Sequence, residues 1–144
     1  MPTPFSGGCA CGAVRYTCSR EPVIMLNCHC RDCQRASGGP FSSLLAVPKE
    51  TLQVTTGEAK YHTVTADSGN TISRGFCATC GSPLFISLGG RPDIVSIRAA
   101  SLDDPSWFRP TMDIFTASAQ PWDHMNPELT NFPRSPFPRA AERQ

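Results

Sequence analysis

Phe76-Cys77-Ala78-Thr79-Cys80-Gly81-Ser82-Pro83-Leu84 decides how this chain folds. Two thiols separated by two residues and followed by glycine make a turn that can present both sulfurs to one metal ion, and Gly81 can take the positive-φ conformation that closes it. Such a knuckle supplies two of the four ligands of a tetrahedral ion, which holds sulfur at about 2.3 Å when it is zinc. The other two must come from elsewhere in the chain. Seven of the eight cysteines fall into three groups, Cys9-x-Cys11, Cys28-x-Cys30-x-x-Cys33 and Cys77-x-x-Cys80. Cys18 stands apart and reads as a small buried hydrophobe.

The opposing reading of eight cysteines is a disulfide framework, and compartment weighs against it. The opening residues Met1 to Gly8 carry no basic segment and no apolar stretch of secretory type. No apolar run reaches the ~18 residues of a membrane span, so neither a membrane nor an oxidising compartment is expected. A cytoplasmic location with reduced thiols is the expectation.

At 144 residues and 15.6 kDa the chain fits one domain, and a fold of this size buries about 68–70% of the surface of its unfolded chain without staples. Lys plus Arg number 13 and Asp plus Glu 12, which lacks the basic excess of a nucleic-acid binder. Fourteen Pro and 11 Gly suit a fold of many turns better than a helical one. Residues 1–8 read as a lead and 9–125 as the folded domain. Residues 126–144, with Pro127, Pro133, Pro136 and Pro138, read as an extended arm that lies over the domain, projects from it or caps a homodimer.

Within the domain, short β-branched and aromatic runs predict strands at Ala13–Cys18, Val23–Asn27, Ser42–Val47, Leu52–Thr55, Lys60–Thr65, Thr71–Phe76, Leu84–Leu88, Ile94–Ala99 and Met112–Thr116. Helical turns are predicted at Arg31–Ala36, ended by Ser37-Gly38-Gly39, and at Asp104–Phe108, where Pro105 suits a first turn. The fold class is mainly β, built of short antiparallel strands.

A four-sulfur site can take its second pair from Cys9-x-Cys11 or from the middle group. With Cys9 and Cys11, the 65-residue stretch to Cys77 closes at a cost of roughly 4 kcal/mol plus a constant, well within the ~10–16 kcal/mol of a structural zinc. That choice leaves Cys28, Cys30 and Cys33 with no obvious fourth protein ligand, because strand geometry turns His29 away from its cysteine neighbours. Three protein ligands and one open position mark a catalytic rather than a structural zinc. Three thiolates already donate strongly, so a soft exogenous thiol is a more natural fourth ligand than hydroxide. A metal-bound thiolate stays deprotonated and can add to an aldehyde carbon. Cys28, Cys30 and Cys33 are thus the candidate catalytic residues. Arg31 and Arg35 beside them can pair with substrate carboxylates, while His62 and His124 read as ordinary polar residues. A zinc-stabilised module that binds another protein, without catalysis, is the alternative.

Three runs carry a resemblance: Cys9-x-Cys11-Gly12; Cys28-His29-Cys30-x-x-Cys33-x-x-x-Ser37-Gly38; and Phe76-Cys77-x-x-Cys80-Gly81-Ser82-Pro83-Leu84. With Ser101-Leu102-Asp103-Asp104 and Pro121-Trp122, they are similar to the glutathione-dependent formaldehyde-activating enzyme family, which includes centromere protein V relatives. The resemblance implies a β-tent fold and a structural zinc at Cys9, Cys11, Cys77 and Cys80. It further implies a second zinc at Cys28, Cys30 and Cys33, and condensation of glutathione with formaldehyde to S-hydroxymethylglutathione, a carbon–sulfur lyase activity. Many relatives carry His where this chain has Met112-Asp113-Ile114, so the chain departs from the family there.

Overall fold

In the computed structural model, which describes residues 3–66 and 69–137, the chain forms two sheets and one helix. The strands are β1 (Phe5–Gly8), β2 (Arg15–Cys18), β3 (Ile24–Cys28), β4 (Ser42–Pro48), β5 (Leu52–Thr56), β6 (Lys60–Thr65), β7 (Thr71–Phe76), β8 (Pro83–Leu88), β9 (Arg91–Arg98), β10 (Met112–Ile114) and β11 (Thr130–Asn131), with helix α1 (Arg31–Ser37) between β3 and β4. One sheet has the order β1-β2-β5 and the other β11-β10-β3-β4-β9-β8-β7-β6. The mainly β expectation holds, with one qualification. Neighbouring strands pair antiparallel except at β10, which runs parallel to both β3 and β11. The chain reaches β10 by a long crossing through short 3₁₀ turns at Ala99–Ser101 and Pro105–Trp107, and a parallel pair needs such a crossing in place of a hairpin.

Side-chain alternation divides the large sheet into two faces. From β4, Leu45 and Val47 join Val95 and Ile97 of β9 and Leu84 and Phe85 of β8 on the face covered by the small sheet. There Tyr16 of β2 is fully buried, its ring 5.3 Å from Phe85. Each such side chain contributes about 1.5–3 kcal/mol by leaving water. On the opposite face Leu26, Leu44, Ile86 and Ile114 gather with Cys28 and Cys33 under α1. The predicted helix thus covers the second face of the sheet.

Local chemistry ends these elements where it must. The Cys30 side chain accepts the backbone N–H of Cys33 and opens α1, and Gly38, at φ 74°, closes it. The strand predicted to run to Thr116 stops at Ile114, because Phe115 takes the left-handed conformation at φ 57° and turns the chain into a 3₁₀ turn at Thr116–Ser118. Both ends of the chain contribute more than their composition suggests. Phe5, within the stretch read as a lead, is buried, and β1 pairs with β2. The Pro-rich stretch lies along the domain and adds β11 to the edge of β10, with Phe132 donating its N–H to the Asp113 carbonyl; residues 138–144, including Pro138, lie outside the described residues.

Candidate functional site

The eight cysteines are free thiols, and seven of them form two clusters whose sulfurs lie within 4.8 Å of one another. The first holds Cys9, Cys11, Cys77 and Cys80. Cys9 and Cys11 lie in the loop between β1 and β2, and Cys77 and Cys80 between β7 and β8. The cluster therefore ties the small sheet to the large one. Each half is a knuckle: the Gly12 N–H donates to the Cys9 carbonyl and the Gly81 N–H to the Cys77 carbonyl, with both glycines at positive φ. The two knuckles also meet directly, as the Ala10 N–H donates to Ser82 Oγ at 3.0 Å.

Spacing tests whether a metal fits. A tetrahedron with 2.3 Å bonds to sulfur has edges of about 3.8 Å. Cys9 Sγ lies 3.6 Å from Cys11 Sγ, and Cys11 Sγ lies 3.8 Å from Cys77 Sγ. The donor environment favours the thiolate at Cys9 and Cys80, whereas at Cys11 the lowering N–H of Ala13 is outweighed by the neighbouring sulfurs, Cys9 foremost, which push the thiol up to about 11. The Val14 N–H reaches Cys9 Sγ at 3.3 Å and pulls that thiol down. The hydroxyl and backbone N–H of Ser82 bring Cys80 down to about 5.

The second cluster is compact in sequence and deep in the structure. Cys28 ends β3, Cys30 caps α1 and Cys33 lies in its first turn. Cys28 and Cys33 are buried and Cys30 is half-buried. Without an ion, the three share protons unequally. Cys28 and Cys30 donate toward Cys33 and hold its thiol far below the ordinary range, helped by the Ser42 hydroxyl and the charge of Arg74. The Cys28 thiol is pushed up by Cys30, by Cys33 and by burial. Among the described residues no fourth Cys, His, Asp or Glu joins the trio. Three sulfurs at this spacing suit one thiophilic ion.

His29 does point away from the sulfurs, into a setting the local pattern does not reveal. Its ring is fully buried, Nε2 lies 2.7 Å from Asp113 Oδ1, Nδ1 lies 2.5 Å from Asp123 Oδ2, and its centroid is 4.9 Å from that of Phe41. Both nitrogens can donate only if the ring carries two protons, so the pattern requires an imidazolium between carboxylates or one proton on a carboxyl. Gln34 adds a bond from its side-chain amide to the His29 carbonyl at 2.7 Å. Asp113 therefore puts a carboxylate against His29, on the side away from the cysteines.

Arg31 and Arg35 occupy the exposed face of α1. With Gln34, Gly38, Gly39 and Trp122 they line a shallow hollow of about 260 Å³, and Trp122 is 60% exposed on its rim. A larger cavity of about 520 Å³ lies elsewhere, with Ser42, Ser43, Phe41, Arg98 and the Arg15–Asp103 pair in its wall. Ser42 and Arg98 connect it to the trio: the Ser42 hydroxyl donates to the Cys33 carbonyl at 3.0 Å and accepts from Arg98 Nη1 at 2.5 Å. Neither Ser42, Arg98 nor Arg74 stands out in the local sequence pattern. The one available signal was a charged residue inside a strand, Arg74 in Thr71–Phe76 and Arg98 next to the apolar Ile94–Ile97 run. His62 and His124 are exposed.

Comparison with known proteins agrees with this architecture. Residues 4–118 match the profile of the family described as glutathione-dependent formaldehyde-activating enzyme. A Penicillium rubens protein provisionally named as such an enzyme is 36% identical over 92 residues, 58% of this chain and 47% of that protein. A Phaeosphaeria nodorum protein with the same provisional name is 31% identical over 124 residues, 79% of this chain and 63% of that protein. This chain thus spans about half the length of the first and under two thirds of the second. The crystal structure of a Rhodobacter sphaeroides protein shares the fold, with a TM-score of 0.57 at 18% identity over 88% of this chain and 98% of that one.

Proposed function

Since the chain belongs to the glutathione-dependent formaldehyde-activating enzyme family, we propose that it joins a small thiol of the glutathione class to formaldehyde or a similar aldehyde, and reverses that reaction as a carbon–sulfur lyase. The supporting observation is the trio of Cys28, Cys30 and Cys33, three sulfurs within 4.8 Å without a fourth protein ligand among the described residues. In this reading zinc is the metal of both clusters. The Cys9, Cys11, Cys77, Cys80 tetrad would hold its ion as a staple between sheets, and the trio would hold the second, to which the substrate thiol would bind.

A zinc ion held by the trio would keep an incoming thiol deprotonated at neutral pH. The remaining work falls to the chain. In the forward direction the thiol sulfur attacks the carbonyl carbon, the carbon–sulfur bond forms as the carbonyl π pair moves to oxygen, and a proton completes the hydroxyl group. His29 is engaged at both ring nitrogens, so it positions the Cys28–Cys30 backbone, and solvent exchanges the proton. Arg31 and Arg35 serve as rim cations that attract an anionic substrate. The requirement for reduced sulfur places the reaction in the cytoplasm.

The test is exchange NMR on an equilibrium mixture of glutathione and ¹³C-formaldehyde. The zinc-loaded protein should accelerate formation of the S-hydroxymethyl adduct, and Cys30→Ser should lower the catalysed rate by on the order of a hundredfold or more while the circular dichroism stays native. An unchanged rate in C30S would overturn the reading in favour of a zinc-stabilised binding module, and loss of the native spectrum would make the trio structural.

A further inference from the structure

Arg98 is a buried cation without a carboxylate. It is 5% exposed, its Nε has no hydrogen-bond partner among the described residues, and among those residues its guanidinium makes the 2.5 Å bond from Nη1 to Ser42 Oγ. Arg74, also on the face that carries the trio, likewise has a buried and unpartnered Nε. Among the described residues the ion pairs involve Arg15 and Arg91 but neither of these two arginines. A guanidinium with five donors is costly to bury unless an anion answers it. The available negative charge is that of the cysteines: Cys33, Cys28 and Cys30 all act on Arg98 electrostatically, and Arg74 acts on Cys33.

The charges there do not balance with the trio alone. Three thiolates on a divalent ion leave a single negative charge, and two guanidiniums bring two positive ones. A thiolate in the open position would neutralise the group, and a further anion on the thiol would find its partner in the buried, unpartnered Nε of Arg98. Arg98 and Ser42 line the cavity of about 520 Å³, which also holds the hydroxyls of Ser37, Ser43 and Ser101. That volume lies within the ~300–1,000 Å³ of small-molecule sites.

We infer that Arg98, presented by Ser42 and reinforced by Arg74, is the anion subsite of this protein and receives a carboxylate of the thiol whose sulfur meets Cys28, Cys30 and Cys33. The inference rests on the trio being a thiol site, and it narrows the substrate to thiols that carry a carboxylate within reach of Arg98. It also separates the roles of the arginines. Arg31 and Arg35 line another hollow, on the exposed face of α1, and lie outside this subsite.

The experiment uses cobalt-loaded protein, whose visible absorption reports a change of ligand at the metal without any turnover. It is titrated with 3-mercaptopropionate, 2-mercaptoethanol and cysteamine, which are anionic, neutral and cationic, each corrected for its thiol pKa. Mercaptopropionate should bind at least about tenfold more tightly than mercaptoethanol, the smallest effect expected of a hydrogen bond to a charged group, and cysteamine the most weakly. In Arg98→Gln the preference should collapse, while Arg91→Gln, at the other end of β9, should leave it intact. Equal binding of the three thiols to the native protein overturns the subsite, as does an undiminished preference in R98Q. If R98Q does not retain two cobalt ions per chain, the native series and R91Q decide alone. A spectrum that no thiol perturbs removes the trio as a thiol site and the subsite with it, whereas thiol binding without charge preference removes only the subsite.

Discussion

The two cysteine clusters differ in a way that counting ligands alone does not anticipate. The tetrad is assembled from two loops with 65 intervening residues, and two of its members, Cys11 and Cys80, are exposed. The trio spans six consecutive residues, yet two of its members are buried beneath a helix. The saturated cluster is therefore the more solvent-accessible of the two. Accessibility does not separate a staple from a reactive centre. What separates them is ligand number and charge: the tetrad sits among serine and backbone donors, whereas the trio has, among the described residues, no fourth Cys, His, Asp or Glu beside it and two nearby arginines, Arg98 and Arg74, without an acidic partner.

The sharpest way to break this comparison is to remove one sulfur from each cluster. Cys77→Ser should unfold the protein, because a structural zinc contributes an apparent ~10–16 kcal/mol, as large as the ~5–15 kcal/mol stability of a whole domain. Metal analysis with far-ultraviolet circular dichroism should show loss of both ions and of strand signal, while C30S loses one ion and keeps its fold. Equal damage from the two substitutions would make both clusters staples.

A smaller effect sharpens the account of the trio. His29→Ala leaves Asp113 and Asp123 buried without their common partner, so urea unfolding should show a loss of about 3–5 kcal/mol, against about 0.5 kcal/mol or less for exposed His62→Ala. A loss no larger than that of H62A would mean that the bracket around His29 is not holding the cysteine segment.

The smallest effect belongs to the tetrad side of the large cavity. There Arg15 grips Asp103 in a bidentate pair, with Ser6 donating a third hydrogen bond. Arg15 holds the Asp103 carboxyl below its usual value of 3.8. A depressed carboxyl stabilises the fold above its unfolded value and loses that contribution as pH falls through the folded one. Asp103→Asn should therefore cost no more than about 1 kcal/mol at pH 7, the range of exposed ion pairs. The difference from the native protein should disappear below the folded value, as thermal melts across pH 2–7 would record. A difference that persists in acid would mean that the hydrogen bonds to Ser6 and Arg15, and not the charge, stabilise this corner.

Much of the fold was legible because it rests on short-range chemistry. The helical turn expected at Arg31–Ala36 follows from its glycine stop, and the strands from β-branched runs between turns. The knuckles follow from glycines that close two-thiol turns. The direction of β10 was not legible, because nothing in Met112-Asp113-Ile114 records whether the chain returns by a hairpin or a crossing. Nor was the strand in Phe5–Gly8, whose two glycines read as a lead until Phe5 finds the core.

By itself, the sequence determined which sulfurs lie close along the chain, since covalent geometry keeps residues two or three apart within the reach of one metal, but it left open which pair joins Cys77 and Cys80, and the fold chose Cys9 and Cys11. Only the tertiary structure decided what surrounds them. Ser42 meets Arg98 across 56 positions and His29 meets Asp123 across 94, and contacts of that range depend on sheet order and register. The electric field at a site is the sum of groups brought together in that way, so the same three cysteines would have different chemistry in another fold.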